Sequence, residues 1–499
     1  MIDFGALQEG FSMLFTVSGI MFMLFGVFLG IFCGAIPGLT TTTAIAILVP
    51  LTFGMDPTTA LVFLACIYSA AMFGGSITAI LINTPGTPAA ASTAFDGYPM
   101  AKRGEAERAL GLALGSSVIG GLFSYVFLLL AMWPIAYFAI RFGAPEMFLL
   151  ALMGLTCIAG LGKGSFWKAL LAGLFGVLIA TFGIAPTGMI RPHFDTPWLL
   201  NGAPQIPTMI GLLAFSELFS ILANSPKPTE KNTSKRASSE IIKGTAEPLK
   251  YPKTTFISCI IGTFVGALPA AGASIAAFLS YNQAKQMSKN PDAYGTGIPE
   301  GIVAPETANS ASTGGALTTT LAFGIPGSGA TAVMLSAMML HGMIPGPRLF
   351  IDQMPVVYAL IIALFLCQPI MIVMGVVFCR WMSGIIDVSP KILAPCIAVL
   401  CVVGAFALRV SLFDVGFMLV FGVIGYFMKK SDYPVFATVL GLVLGQLSDN
   451  NLIRTAIRHR HDFTVFFTRP ISLVLVILTA VMVLYPVVQK KLREKRRGI

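Results

Sequence analysis

Apolar segments follow one another along this chain with almost nothing between them. They occupy approximately 11–33, 40–53, 58–82, 109–140, 146–162, 166–190, 205–223, 254–281, 302–324, 329–345, 354–379, 391–408, 412–428, 433–447 and 470–489. Only 11% of the 499 residues are Asp, Glu, Lys or Arg, where soluble domains carry roughly 25%. So few charges cannot cover a soluble surface of this size, which leaves a protein that crosses a bilayer repeatedly. The runs are long and do not alternate, so they are not the strands of a lipid-facing barrel. The expected fold is an all-α integral membrane protein. With ~20 residues per span, it should have about 11–13 transmembrane helices plus re-entrant or broken pieces at the shorter runs 40–53, 329–345 and 433–447. The run 11–33 lacks a basic flank and is too long for a signal peptide, so it is expected to be a first membrane helix.

The net charge of +10 marks topology rather than a nucleic-acid partner. Half of the 32 basic residues fall in three short stretches: Lys102, Arg103 and Arg108; seven between Asn224 and Lys253; and six between Lys490 and Arg497. Basic clusters beside apolar runs mark cytoplasmic loops, and contact with lipid headgroups is a secondary role. The expected organisation is a first membrane half at 1–224, a cytoplasmic polar linker at 225–253, a second membrane half at 254–489, and a basic cytoplasmic tail at 490–499. A solvated linker predicts that removing 231–247 leaves the fold intact. The eight Cys all stand in apolar surroundings without metal-site spacing, and the four His form no ligand pattern, so no metal or cofactor is expected.

The chain repeats itself. Gly34-Ala35-Ile36-Pro37 corresponds to Gly266-Ala267-Leu268-Pro269 at an offset of 232. Gly74-Gly75-Ser76-Ile77-Thr78 through Asn83-Thr84-Pro85-Gly86 corresponds to Gly314-Gly315-Ala316-Leu317-Thr318 through Gly324-Ile325-Pro326-Gly327 at offsets of 240 and 241. Two motifs in one order and at one spacing indicate two internally homologous halves. The residues leave open whether these are parallel or inverted; an odd number of crossings per half would invert them.

Pro within an apolar run removes a donor, and Gly beside it frees the backbone. In hydrocarbon, such broken backbone must line a cavity or be buried in protein. Matching breaks in two halves point to a transporter's midplane site. The candidate substrate and cation ligands in the first half are therefore Pro37, Gly38, Thr40, Thr41, Ser76, Asn83, Thr84, Pro85, Gly86 and Thr87. In the second half they are Pro269, Ser274, Glu306, Asn309, Ser310, Thr313, Thr318, Gly324, Pro326, Gly327 and Ser328. These stretches hold no Lys or Arg, so an anion there would depend on hydroxyls, amides and helix N-termini. Glu306, Asp96 and Glu217 stand near the ends of apolar segments. An interfacial or capping duty is therefore weighed beside a cation or proton role. No chain of acids and His suggests a proton relay, which favours Na⁺ over H⁺. Some hydroxyls, such as Thr43, Thr319 and Thr320, fit helix-to-helix bonding instead.

The longest motifs are GAIPGL at 34–39, GGSITAILINTPGTPA at 74–89 with FDGYPMAKRGEAERALG at 95–111, APETANSASTGGALTTTLAFGIPGSGATAV at 304–333, and HGMIPGPRLF at 341–350. With them the chain resembles, from about residue 10 to 485, the large membrane subunit of the tripartite tricarboxylate transporters, the TctA family. The resemblance implies a multi-spanning permease of the bacterial inner membrane and no enzymatic activity. It implies a small four-span membrane subunit and a periplasmic solute-binding protein as partners. It also implies cation-coupled import of tricarboxylates or related carboxylates, with Na⁺ as the expected co-transported ion and H⁺ as the other option. Where the family pattern places Gly and Pro after Gly38-Leu39, this chain has Thr40-Thr41-Thr42-Thr43, which leaves the identity of the carboxylate open. A stand-alone anion symporter or a channel is the competing function; a channel needs a continuous polar stripe, and the sequence shows localised breaks.

Overall fold

The computed structural model describes residues 3–139, 141–161, 166–185, 187–223, 238–269, 272–385, 390–407 and 409–480. In chain order its α-helices are α1 (Phe4–Leu14), α2 (Val17–Gly34), α3 (Thr41–Leu48), α4 (Pro57–Ile82), α5 (Ala91–Lys102), α6 (Ala106–Ala139), α7 (Ala144–Leu161), α8 (Phe166–Ala180), α9 (Gln205–Met209), α10 (Ser216–Ala223) and α11 (Ser238–Ala246). They continue with α12 (Pro252–Ala267), α13 (Gly272–Met287), α14 (Glu300–Phe323), α15 (Gly329–Leu340), α16 (Leu349–Asp352), α17 (Met354–Ile385), α18 (Pro390–Ala407), α19 (Leu412–Lys430), α20 (Val435–Arg458) and α21 (Val465–Thr468). The β-structure among the described residues is one isolated bridge between Ile184 and Ile190. The protein is an all-α membrane protein.

Five described helices are long and apolar enough to cross a bilayer: Val17–Gly34, Pro57–Ile82, Ala106–Ala131, Met354–Trp381 and Leu412–Lys430. Seven shorter apolar helices accompany them, among them Thr41–Gly54 and Gly329–Leu340. The continuous runs of the sequence are thus divided more finely than hydropathy suggests. Thr16 caps α2 by accepting from the Gly19 amide, so the run 11–33 becomes α1 and α2. The run 433–447 is no short piece but the first part of the 24-residue helix α20.

Two helices form the centre. Every residue of α4 from Thr58 to Leu81 is buried, against 28% of the apolar stretch in Leu412–Lys430 at the periphery. An apolar helix without a polar face belongs inside. α14 is as deeply buried, although its sequence is full of Ser, Thr, Asn and a Glu. Lipid would not tolerate that surface, so α6, α12, α13, α5 and α4 enclose it.

Small residues bring the backbones together. Added side-chain carbons at Gly34 and Gly74 of the α2–α4 pair would meet Ala71 and Ile31 backbone; those at Gly266 and Gly315 of the α12–α14 pair would meet Ser312 and Thr263 backbone. Gly34 and Gly266 correspond in the two motifs, and Gly315 lies one place beyond the counterpart of Gly74. Close approach through small residues is what drives association where lipid tails remove the hydrophobic advantage.

The second part of the polar linker is not solvated chain. Residues 238–246 form α11, which packs on α6 with Ile241 fully buried. Gly244 sits against Gly111, and Glu247 pairs with Arg108 at 2.5 Å. Removing 231–247 would expose that face of α6, so the expectation of a tolerated deletion does not hold. Residues 225–237 and the tail 490–499 lie outside the described residues.

Candidate functional site

α4 and α14 each stop at a left-handed residue. Asn83 ends α4 with φ 55°, and Gly324 ends α14 with φ 67°. Such a conformation disfavours most side chains and suits Gly and Asn. After each stop the chain turns through Pro and Gly. Gly86 donates its amide to the Gly75 carbonyl at 3.1 Å and lies against the Gly34 carbonyl. Gly327 lies against the Gly266 carbonyl and Ala316 Cα. No side chain larger than hydrogen fits either place.

The second break opens into α15, whose N-terminus Ser328 caps. Ser328 Oγ accepts from the Thr331 amide, and Thr331 Oγ1 accepts from the Ser328 amide at 3.0 Å. Tyr68 of α4 shares a hydrogen bond with Ser328 Oγ at 3.1 Å. Beside it stands the N-terminus of α3. Thr40 caps that helix, Thr42 approaches Gly329, and the buried Thr41 Oγ1 has no hydrogen-bond partner among the described residues. Two helix N-termini from distant parts of the chain therefore meet around hydroxyls. Backbone N–H groups and helix dipoles aimed at one place favour negative charge.

A polar seam runs between α4 and α14. Ser76 donates to Glu306 Oε1 at 2.6 Å. Asn309 donates to the Met72 carbonyl at 3.3 Å. Ser69 accepts from Tyr125 at 2.8 Å, and Tyr125 also contacts Thr313 Oγ1 at 3.2 Å. As numbers rise along α4 they fall along α14, so the two helices run antiparallel. Thr93 of α5 also donates to Glu306 Oε1, and Ser117 of α6 donates to Oε2 at 3.2 Å. Glu306 is fully buried, six residues past Glu300, the first residue of α14, rather than at a segment end. Gln368 of α17 donates to Ser69 at 3.0 Å. Several buried atoms of this seam have no hydrogen-bond partner among the described residues: Thr78 Oγ1, Thr87 Oγ1, Ser116 Oγ, Asn309 Oδ1, Ser310 Oγ and Gln368 Oε1. Buried polar atoms are seldom left so, and their concentration marks a functional region.

The candidates divide accordingly. Thr40, Thr41 and Ser328 meet at the two N-termini; Ser76, Glu306, Asn309, Ser310 and Thr313 line the seam. Pro37, Gly38, Asn83, Thr84, Pro85, Gly86, Gly324, Pro326 and Gly327 shape the breaks. Thr87 is buried beside Gly75. Pro269 and Ser274 are half-buried at the α12–α13 turn, and α13 packs near residues 88–90. Thr318 bonds the Gly314 carbonyl at 2.7 Å within its own helix, so its hydroxyl is already used.

Asp96 and Glu217 are structural. Asp96 Oδ1 accepts from the amides of Gly295, Gly297 and Ile298 at 2.8–3.0 Å, and Oδ2 accepts from Tyr281 at 2.8 Å. Glu217 pairs with Lys429 at 2.5 Å. Sequence reasoning missed Tyr68, Ser69, Thr93, Ser117, Tyr125, Thr331 and Gln368. Gln368 carried a signal, a lone amide next to Pro369 in a long apolar run. A cavity of about 340 Å³ between α12 and α13, lined by Lys253, Ser258, Ser280, Gln283 and Asn290, lies away from both breaks. Among the described residues no three His, Cys, Asp or Glu gather as a metal site.

A sequence model described as the Tripartite tricarboxylate transporter TctA family matches residues 20–440. The chain is 32% identical over 504 aligned positions to an uncharacterized 52.8 kDa protein in the TAR-I ttuC' 3'region of Agrobacterium vitis, covering 98% of this chain and 97% of that protein. A second Agrobacterium vitis protein, uncharacterized and in the TAR-II ttuC' 3'region, is 29% identical over 233 positions, 46% of this chain and 96% of its own length. No solved structure matches.

Proposed function

Because the chain belongs to the tripartite tricarboxylate transporter TctA family, we propose that it is the large permease subunit of a binding-protein-dependent, cation-coupled importer of tricarboxylates or related carboxylates. It is a multi-pass membrane protein of a transporter family. The proposed location is the bacterial inner membrane, and the proposed partners are a small four-span subunit and a periplasmic solute-binding protein. The co-transported cation is proposed to be Na⁺.

One observation carries this reading. The N-termini of α3 and α15, from opposite halves of the sequence, meet around Thr40, Thr41, Thr42, Ser328 and Tyr68. That is an anion site built without a fixed cation, suited to a carboxylate that must also be released. The antiparallel seam supports a pair of inverted halves. Ser69 and Thr313, bridged by Tyr125, and the pair Met72–Asn309 exchange with one another, within a residue, under the 241-residue offset. A two-fold relation of this kind is the arrangement alternating access uses.

The test is uptake of labelled citrate into vesicles holding this chain and both proposed partners. Uptake that needs the binding protein and a Na⁺ gradient is the expected result. Full uptake by the chain alone would overturn the binding-protein dependence in favour of a stand-alone symporter.

A further inference from the structure

We propose that Glu306 is a reversible proton-binding site, which deepens and rests on the cation-coupled reading above. Four helices meet at its carboxyl: Ser76 comes from α4, Thr93 from α5, Ser117 from α6, and Glu306 itself from α14. The side chain is fully buried. A lone buried carboxylate costs several kcal/mol unless it is paired or neutralised. Three neutral hydroxyls do not neutralise it.

No cation among the described residues bonds to it. The titratable or charged groups on the packed elements are Cys66 and Tyr68 on α4, Asp96, Tyr98 and Lys102 on α5, Glu107, Arg108, Tyr125 and Tyr137 on α6, Lys253 and Cys259 on α12, Tyr281 and Lys285 on α13, Asp352 on α16, and Glu300 on α14; Lys102 lies over the Tyr98 ring. Asp96 is held by Tyr281 and backbone amides, and Arg108 by Glu105 and Glu247. The remaining route to neutrality is a small monovalent cation. Ser76 Oγ and Oε1 already stand at direct hydrogen-bond distance, 2.6 Å. A Na⁺ ligated by both oxygens would force them apart, whereas a proton needs no added space. The step is balanced simply: H⁺ forms one O–H bond on a carboxylate oxygen, the anion becomes a neutral acid, and a neighbouring hydroxyl turns to accept.

The site is also wired to a break. Thr93 lies six residues beyond Thr87, on α5, which the chain enters from the first Pro-Gly turn through the short 3-10 turn Pro88–Ala90. A rearrangement of residues 83–90 that shifts α5 would carry the Thr93 donor with it. Na⁺ is then left to the oxygens at the helix breaks.

The experiment is infrared difference spectroscopy of the full chain in lipid vesicles, titrated in pH without substrate. A protonated-carboxyl C=O band that appears on acidification and is lost in Glu306→Gln is expected. The other carboxyls titrate in both proteins, so a wild-type band with no component missing from Glu306→Gln at any pH overturns the assignment. Replacing choline chloride by NaCl should leave the midpoint unmoved; a moved midpoint would make Glu306 a Na⁺ ligand and overturn it equally. Should Glu306→Gln fail to insert, Ser117→Ala serves instead, and it should move the midpoint by removing one bond. Citrate uptake with the partners gives the second readout. The dependence of uptake on external pH should vanish in Glu306→Gln, and an unchanged profile would overturn the proposal. Absence of uptake in the wild type would count against the transport reading alone, since the band still decides Glu306.

Discussion

Asn83 and Gly324 end their helices in the same left-handed conformation, and Gly86 and Gly327 press against carbonyls of Gly34 and Gly266. Beyond those glycines the two breaks diverge. The second places its hydroxyl at once, with Ser328 capping α15 and meeting Tyr68. In the first, Thr87 caps nothing, and the chain passes through a short 3-10 turn into α5, where Thr93 reaches Glu306 and Asp96 clamps the 295–298 loop. By the 241-residue offset the counterpart of Asp96 is Ala337. Small residues thus set a backbone that both breaks share. The position of the next polar side chain decides whether a break serves an open helix end or a buried acid.

The largest effects should test what is shared. Gly86→Val and Gly327→Val each force a side chain into a carbonyl, and each should cost about 3 kcal/mol or more. Folded, membrane-inserted protein should be lost in both, as read by size-exclusion in detergent. Survival of one variant would end the equivalence of the two backbones. Asp96→Asn comes next. It weakens three amide bonds to a charged acceptor and should lower stability by ~2 kcal/mol, whereas Ala337→Ser in the other break should change the thermal midpoint little.

Ser328→Ala removes a cap worth ~1 kcal/mol and should reduce citrate uptake about tenfold, the equivalent of one lost interaction of 1.4 kcal/mol. Thr87→Ala deletes a hydroxyl without a partner, and stability should hold or rise slightly. Equal losses of uptake in the two variants would erase the distinction drawn between the breaks.

The smallest effect concerns the segment around α11. The Arg108 guanidinium, through its hydrogen bonds to Glu247, holds that carboxyl below the usual range. A depressed carboxyl contributes stability above its unfolded value, about 4.3, and the contribution is lost as pH falls through the folded value. Acidification should therefore loosen α11, making 238–250 more open to proteolysis, and Glu247→Gln should do the same at neutral pH. With Arg108 39% exposed, the effect should stay within ~1 kcal/mol.

The positions of both breaks were legible because Pro and Gly leave few other backbones open. The recurrence of two motifs was legible at offsets of 232 and 241. The role of Glu306 was not. Its place in an apolar run suggested a segment end, and its neighbours proved to be hydroxyls from three other helices. The linker misled in the same way: Gly244 and Ile241 read as parts of a polar stretch, yet they fit the groove offered by Gly111 on α6. Likewise Thr318 resembled a ligand in composition while its hydroxyl served its own helix.

By itself the sequence determined an all-helical membrane protein interrupted at two matching places, since hydrocarbon leaves the backbone no partner outside helices and Pro-Gly leaves no helix intact. Only the tertiary structure decided which polar groups meet. Ser76 and Thr93 lie 230 and 213 residues from Glu306, and Tyr68 lies 260 from Ser328. Helical periodicity fixes which face a residue occupies, but packing chooses the face opposite.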